Sequence, residues 1–129
     1  MPSALPIMKL HLRYRLWIAE LNADINVLRI LTDYIIELEN KKNLPEVLKG
    51  TGNFKKQFAD LRKKIDELSH EMHLIKMKLA TVARENKPLT KKSFSEDNHK
   101  AIKRRYTSFR KIFSTMKKDF ARFEGKWLR

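Results

Sequence analysis

The side chains best suited to chemistry lie close together near the middle of the chain. Glu67 and His70 have the Glu-x-x-His spacing of carboxylate-bridged di-metal bundles, and His73 follows three residues later. If Ile65 and Leu68 occupy core-facing positions of a helix, all three of these side chains point away from the core. Di-metal bundles also need the motif twice, together with further inward-facing carboxylates. We therefore expect no metal cofactor, and only an adventitious zinc ion at the two histidines.

Motifs for other catalytic classes are missing from the sequence. The chain has no cysteine, which excludes disulfides, thiolate metal sites and cysteine nucleophiles. Its 3 glycines form neither a phosphate-binding loop nor the sharp turn that presents a serine nucleophile. We therefore expect a protein that is not an enzyme and that binds no cofactor.

Breaker residues divide the chain into three segments. Pro2 and Pro6 precede the first segment, and Pro88 lies between the second and the third. Residues 40–53, which contain a proline and two glycines, separate the first two segments. Within each segment apolar residues recur at alternating spacings of four and three, as in Phe54, Phe58, Leu61 and Ile65. This period of about 3.5 residues predicts long helices that pack knobs into holes in a gentle supercoil.

The sequence predicts a single all-α domain over residues 1–129. We expect an antiparallel three-helix bundle with long, coiled-coil-like helices at about residues 8–40, 53–86 and 95–124. The two connections are short compared with the helices, so helices that follow each other in the chain should run antiparallel.

Residues with capping preferences lie close to these expected helix ends. Thr51 or Asn53 could cap the second helix, and a short separate turn of helix could open at Pro45. The Ser-x-x-Glu sequence at residues 93–96 predicts a capping box for the third helix, which could end at Gly125.

One acidic residue interrupts the apolar pattern of the first segment. With Tyr14, Trp17 and Leu21 facing the core, Asp24 falls at the next core position, where an unpaired carboxylate would cost several kcal/mol. It must find a cationic or hydrogen-bonding partner, or face water. We interpret Asp24 as a buried polar residue that fixes the helix register. A role as a ligand or an acid would need a second polar group in the same layer, which the sequence does not identify.

Positive charge is concentrated towards the C-terminus. The formal net charge is +14, and residues 87–129 hold 14 of the 29 basic residues but only 4 of the 15 acidic ones. Six cations of the third segment recur every heptad along one predicted stripe of about 22 Å: Lys103, Arg104, Arg110, Lys111, Lys117 and Lys118.

Two interpretations of this stripe stay open. It could bind the phosphate backbone of nucleic acid with little sequence specificity, because the aromatic residues of this segment are expected in the core and cannot stack on bases. It could also be a solvated face whose cations pair with acids such as Glu20, Glu39 or Asp66 on neighbouring helices.

The first segment carries a second set of apolar residues opposite its core-facing side. These residues are Leu12, Leu16, Ala19, Ala23 and Ile30. A contiguous apolar strip of this kind is typical of an interface, and the two small alanines would allow a second helix to approach closely. We therefore predict self-association through this face. The alternative is that the first helix lies deeper in the bundle, covered by the other helices or by residues 1–8.

Three stretches carry a resemblance to a known family. They are RLWIAELN at residues 15–22, the helical stretch 54–70, and FRKIF at 109–113 followed by KKDFARF at 117–123. With these, the chain resembles a family of small, uncharacterised, all-helical bacterial proteins over most of its length. The resemblance implies a helical fold and a bacterial, cytoplasmic setting, and it brings no reaction, cofactor or site residue.

Two function classes follow from the sequence. No segment approaches the ~18 consecutive apolar residues of a membrane-spanning helix, and we expect a cytoplasmic protein without a membrane partner. The preferred hypothesis is a homo-oligomeric adaptor or assembly protein that binds itself or another protein through the first helix. The alternative is a nucleic-acid-associated protein that uses the basic third helix.

Overall fold

The protein is a bundle of three long α-helices, as the sequence predicts. The computed structural model describes residues 4–90 and 94–127, and no strand occurs in these ranges. The helices are α1 (Ala4–Lys41), α2 (Pro45–Arg84) and α3 (Glu96–Trp127). Glu39 near the end of α1 pairs with Lys55 in the first part of α2, and Glu71 in the second half of α2 pairs with Arg105 in the first part of α3. The chain therefore runs up, down and up.

The core is built from the apolar residues at alternating spacings of four and three. Those of α2 are buried almost without interruption, and those of α3 from Ile102 to Phe120 are buried as well. Burial of this apolar stripe supplies the main driving force for folding, because a stripe with this period always faces the neighbouring helices.

The three helices are not equally close to one another. Helix α2 packs directly against both of its neighbours, whereas in the described part of the chain no Cα atom of α1 comes within 8 Å of one in α3. Large side chains fill this wider gap. The rings of Trp17 and Tyr106 lie 5.1 Å apart, and those of Tyr34 and Phe120 lie 6.0 Å apart.

Helices α1 and α3 are parallel and keep a constant register. In the described ranges, three of the hydrogen bonds that join them link residues whose numbers differ by 85 or 86, among them Glu20 to Tyr106 and Tyr14 to His99. The bond from Arg110 to Glu20 spans 90 residues, about one helical turn more. A constant difference between partner numbers means that the two helices run side by side in the same direction without slipping. Polar contacts therefore mark the α1–α3 register along much of its length.

The second helix begins at Pro45 and not near residue 53, which corrects the expected connection and its separate short turn. Proline suits the first turn of a helix because that position needs no backbone N–H donor. Thr51 is therefore not a cap but a buried residue inside α2, where its hydroxyl lies 2.5 Å from a carboxylate oxygen of Glu39.

Gly50 and Gly52 lie within α2, although glycine is a poor helix former. They differ in their surroundings. A Cβ atom on Gly50 would overlap the ring of Phe123 on α3, whereas a Cβ atom on Gly52 would meet nothing within 4 Å. Gly50 thus lets α3 approach α2 closely, and Gly52 has no comparable packing role.

The ends of the other helices also differ from the expected bounds. Helix α1 begins at Ala4, with Pro6 inside its first turn, and α3 continues through Gly125 to Trp127. The side chain of Ser95 accepts a hydrogen bond of 3.1 Å from the backbone N–H of Asn98 and so caps α3. The predicted capping residue Ser93 lies outside the described residues.

The two glycines of α2 offer a matched test of this packing. Gly52→Ala should raise the free energy of unfolding by about 1 kcal/mol, since alanine is the better helix former and its methyl group meets no neighbour. Gly50→Ala should give no such gain, because its methyl group displaces the Phe123 ring. Urea unfolding followed by circular dichroism measures both values, and equal stabilisation by the two substitutions would contradict the assigned packing of Gly50.

Candidate functional site

A polar cluster lies between α1 and α3, formed by Glu20, Asp24, Tyr106 and Arg110. Asp24 is 6% exposed, at the core position where the sequence places it. Arg110 donates one hydrogen bond of 2.5 Å to the Asp24 carboxylate and a second bond to Glu20. Tyr106 donates a 2.7 Å hydrogen bond to the other carboxylate oxygen of Glu20. One guanidinium therefore joins two carboxylates of α1.

Aromatic rings of α3 hold the guanidinium of Arg110 in place. Its central carbon lies 5.6, 5.3 and 5.4 Å from the ring centres of Tyr106, Phe109 and Phe113. The π-faces of such rings attract a cation, and this attraction strengthens where water is excluded. Arg110 is thus held by rings of its own helix as well as by the acids of α1.

The two carboxyl groups of the cluster respond in opposite ways to their surroundings. Burial raises the pKa of Asp24, although Arg110 and Lys117 act against this shift. The hydrogen bond from Tyr106, followed by the charge of Arg110, lowers the pKa of the more exposed Glu20. Burial and the neighbouring Glu20 raise the pKa of Tyr106, so this hydroxyl stays protonated and donates. The arrangement favours a structural role that fixes the register of α1 against α3.

The sequence hypothesis named Asp24 correctly as a buried polar residue but did not identify its partner. It placed Arg110 in the basic stripe, whereas the structure turns this side chain inward, to Asp24 and Glu20. The register of α3 against α1 decides which cation reaches Asp24, and no feature of either helix alone carries that information.

A second cluster ties the start of α3 to the first half of α1. The Tyr14 hydroxyl lies 2.6 Å from Nδ1 of His99, and the ring of Trp17 stacks on the imidazole at 6.0 Å. Burial, with the nearby charges of Arg13 and Lys103, lowers the pKa of His99 and favours its neutral form. Burial raises the pKa of Tyr14 to about 12. Sequence analysis did not identify this histidine contact, because the two residues are 85 positions apart in the chain.

We define the basic stripe by the remaining five cations of the predicted set. All five are exposed along α3, and none of them lies within ion-pair distance of an acid in the described ranges: Lys103, Arg104, Lys111, Lys117 and Lys118. By contrast, the neighbouring Arg105 pairs with Glu71 on α2. Arg110, which faces α1, and Arg105, which faces α2, are thus paired with acids, whereas the five cations of the basic stripe are not.

The acids proposed as partners for the stripe have other contacts. Glu20 pairs with Arg110, Glu39 pairs with Lys55 on α2, and Asp66 pairs with Arg62 on its own helix. Residues 98–118 contain no acid at all. The outward surface of α3 is therefore an uninterrupted region of positive charge over this length.

We define the outer apolar face by the five α1 residues that the sequence singles out: Leu12, Leu16, Ala19, Ala23 and Ile30. All five are exposed, and Leu12, Leu16 and Ile30 keep 50%, 59% and 64% of their surface. Neither α2 nor α3 covers this face, so the deeper burial of α1 considered as an alternative is not what the structure shows.

The histidines of the possible metal motif lie on the surface. His70 and His73 are exposed and point away from the core, as their helical phase predicts. Across the described ranges, no group of three or more histidine, aspartate or glutamate side chains is placed to hold a metal ion.

Comparisons with known proteins add no family assignment. The chain matches no protein-family model, and neither a curated protein nor a solved structure matches it. The resemblance to small helical bacterial proteins therefore stays a prediction. Within residues 4–90 and 94–127, none of the helices combines the length and the apolar character that crossing a bilayer requires.

The polar cluster makes a specific prediction about stability. Arg110→Met should lower the free energy of unfolding by about 3 kcal/mol, because it leaves the buried Asp24 carboxylate without a partner. Arg105→Met is the matched control on the same helix. Its ion pair with Glu71 is more exposed, and the loss should stay below about 1 kcal/mol. Equal losses in urea unfolding would contradict the special role of Arg110.

Proposed function

We propose that this protein is a non-enzymatic helical-bundle adaptor of the cytoplasm, which assembles with itself or with a protein partner through the outer apolar face of α1. The single observation that carries the proposal is the exposure of all five residues of that face. They cover about 27 Å along the helix, which is long enough for a helix of a partner to lie against.

The energetics of this face suit a reversible interaction. Burial of the half-exposed Leu12, Leu16 and Ile30 would contribute about 1 kcal/mol each. Ala19 and Ala23 lie between them and allow close packing of a second helix. These gains must offset the loss of translational and rotational freedom on association, so we expect a moderate affinity that further contacts can tune.

The polar cluster supports a non-enzymatic role. Both carboxylates contact the same guanidinium, and Glu20 also accepts the hydrogen bond of Tyr106. An acid or a base that works in catalysis must exchange protons with a substrate, whereas these groups are engaged with each other.

Leu16→Glu should weaken self-association at least about tenfold, because it places a charge in the centre of the apolar face. Leu74→Glu on α2 is the matched control, since Leu74 is likewise half exposed but lies on another helix. Light scattering of nuclease-treated protein at low and high salt gives the dissociation constants. We expect a dimer that persists at high salt, and a monomer under all conditions would overturn self-association through this face.

A second candidate function is the binding of nucleic acid through the basic stripe. It is supported by the five exposed cations and by the absence of acids from residues 98–118. Lysine and arginine side chains along one helix face can follow the phosphates of a duplex, and binding of this kind releases condensed counterions. Its affinity therefore falls steeply as salt rises, unlike that of an apolar interface.

The double substitution Lys111→Gln with Lys118→Gln should weaken binding to a mixed-sequence duplex. It should also reduce the slope of log affinity against log salt by about 2, one unit for each lost phosphate contact. The same change at Lys56 and Lys63, exposed lysines of α2, is the control for net charge. Equal effects of the two pairs would show that overall charge, and not the stripe, attracts the duplex.

A further inference from the structure

The outer apolar face is the middle of a longer seam on α1. Nine exposed residues follow one another at alternating spacings of three and four: Lys9, Leu12, Leu16, Ala19, Ala23, Asn26, Ile30, Asp33 and Glu37. This is the spacing of a coiled-coil contact line, and it lies opposite the line that packs into the core. Helix α1 therefore has two seams, of which the bundle uses one.

The charges of this second seam are arranged asymmetrically. It begins with the cation Lys9 and ends with the anions Asp33 and Glu37, while its centre is apolar apart from Asn26. All three charged side chains are exposed. A seam with opposite charges at its two ends complements a copy of itself that runs in the opposite direction.

We propose that the occupant of this face is a second copy of the chain, docked antiparallel across a two-fold axis, with Lys9 of each copy opposite Asp33 of the other. The inference deepens the proposed function and rests on it, since it names the partner and the orientation. A two-fold axis makes the contact self-complementary, so each pairing occurs twice in the dimer.

One register pairs the charges and most of the apolar residues. When Lys9 lies opposite Asp33, Leu12 lies opposite Ile30 and the two alanines lie opposite each other near the axis. The remaining layer places Leu16 opposite Asn26. The small alanines then let the two α1 helices approach closely at the centre. Glu37, which pairs with Lys41 of its own helix at 3.2 Å, lies outside these layers.

Other registers and the parallel orientation match the seam less well. A shift of one heptad in one direction places Leu16 opposite Asp33, which removes a carboxylate from water without a cation. The opposite shift pairs the leucines with the alanines. It places Lys9 opposite Asn26, however, and Asp33 opposite no cation of the seam. A parallel pair would place Lys9 beside Lys9 and Asp33 beside Asp33, and such like-charge contacts are unfavourable.

The net charge of the chain sets the expected salt dependence. Each copy carries a formal charge of +14, so two copies repel each other at long range. Salt screens this repulsion over a distance of about 10 Å at 0.1 M, and it also weakens the two exposed Lys9–Asp33 pairs. The apolar centre does not depend on salt, which is why the dimer should persist when salt is raised.

Cysteine cross-linking tests the orientation directly, because the chain has no native cysteine. Leu12→Cys and Ile30→Cys are prepared separately, and a short bismaleimide is added to each variant and to their equimolar mixture. In the antiparallel dimer, the same residue of the two copies lies about 27 Å apart along the axis, beyond the reach of the reagent. We expect about tenfold more covalent dimer in the mixture than in either variant alone.

The outcomes separate this inference from the proposed function. Efficient cross-linking of Leu12→Cys alone would show a parallel dimer, and the absence of cross-linking from a dimer detected by light scattering would show another interface. Either result overturns the antiparallel docking and leaves self-association in place. A monomer at all concentrations and salt levels overturns both.

A charge exchange provides a second measurement that leaves the apolar residues untouched. Lys9→Glu alone should weaken the dimer by about three- to tenfold, and the double variant Lys9→Glu with Asp33→Lys should restore its affinity. Lys63→Glu on α2 makes the same charge change away from the seam and is the control. Failure of the double variant to recover, with folding intact by circular dichroism, would overturn the Lys9–Asp33 pairing.

Discussion

The contact of Arg110 with Asp24 is the interaction on which the arrangement of α1 and α3 depends. These two helices do not approach each other closely, and the gap between them is filled by long or aromatic side chains. A gap of this kind could be packed in several registers by apolar groups alone. A buried carboxylate removes that freedom, because any register that separates it from a cation leaves an uncompensated charge in the core. The register that brings Arg110 to Asp24 also aligns Tyr14 with His99 and Glu20 with Tyr106.

The same contact changes what the surface of α3 presents. Arg110 is one cation of the heptad-spaced set, and its side chain is paired with Asp24 between the helices. The five other cations of the set face water. The three acids considered as partners for those five are engaged elsewhere, with Arg110, with Lys55 on α2 and with Arg62 of the same helix. The positive surface is therefore a consequence of how the internal ion pairs are distributed, and not only of the composition of α3.

The proposed assembly and the proposed nucleic-acid binding involve different helices. The outer apolar face belongs to α1 and the basic stripe to α3, so a dimer formed through α1 does not need the stripe cations for its contact. Two such copies would present two basic helices from one particle. Phosphate contact weakens steeply as salt rises, whereas apolar contact does not, so a salt titration distinguishes the two surfaces.

Much of the fold and part of the candidate site could be predicted from the sequence. Apolar residues at alternating spacings of four and three predicted three long helices, and helical phase placed His70, His73 and Asp24 correctly. The predicted start of α2 was wrong, because a proline and two glycines close together in the sequence are typical of a loop. Gly50 is tolerated in the helix for a reason that lies on another helix, the ring of Phe123.

Spacing along one segment is enough to predict the three helices and, for most residues, the helix face on which they lie, since helical phase depends only on that spacing. Which residues of different helices meet depends on how the helices pack together. Asp24 and Arg110 are 86 residues apart, and their contact depends on the axial offset of two parallel helices. The exposure of the outer face of α1 was equally undetermined, because a helix can present a second apolar side to water or to a neighbour. Packing against α2 and the side-chain bridge to α3 leave that side uncovered, since three helices enclose only one common core.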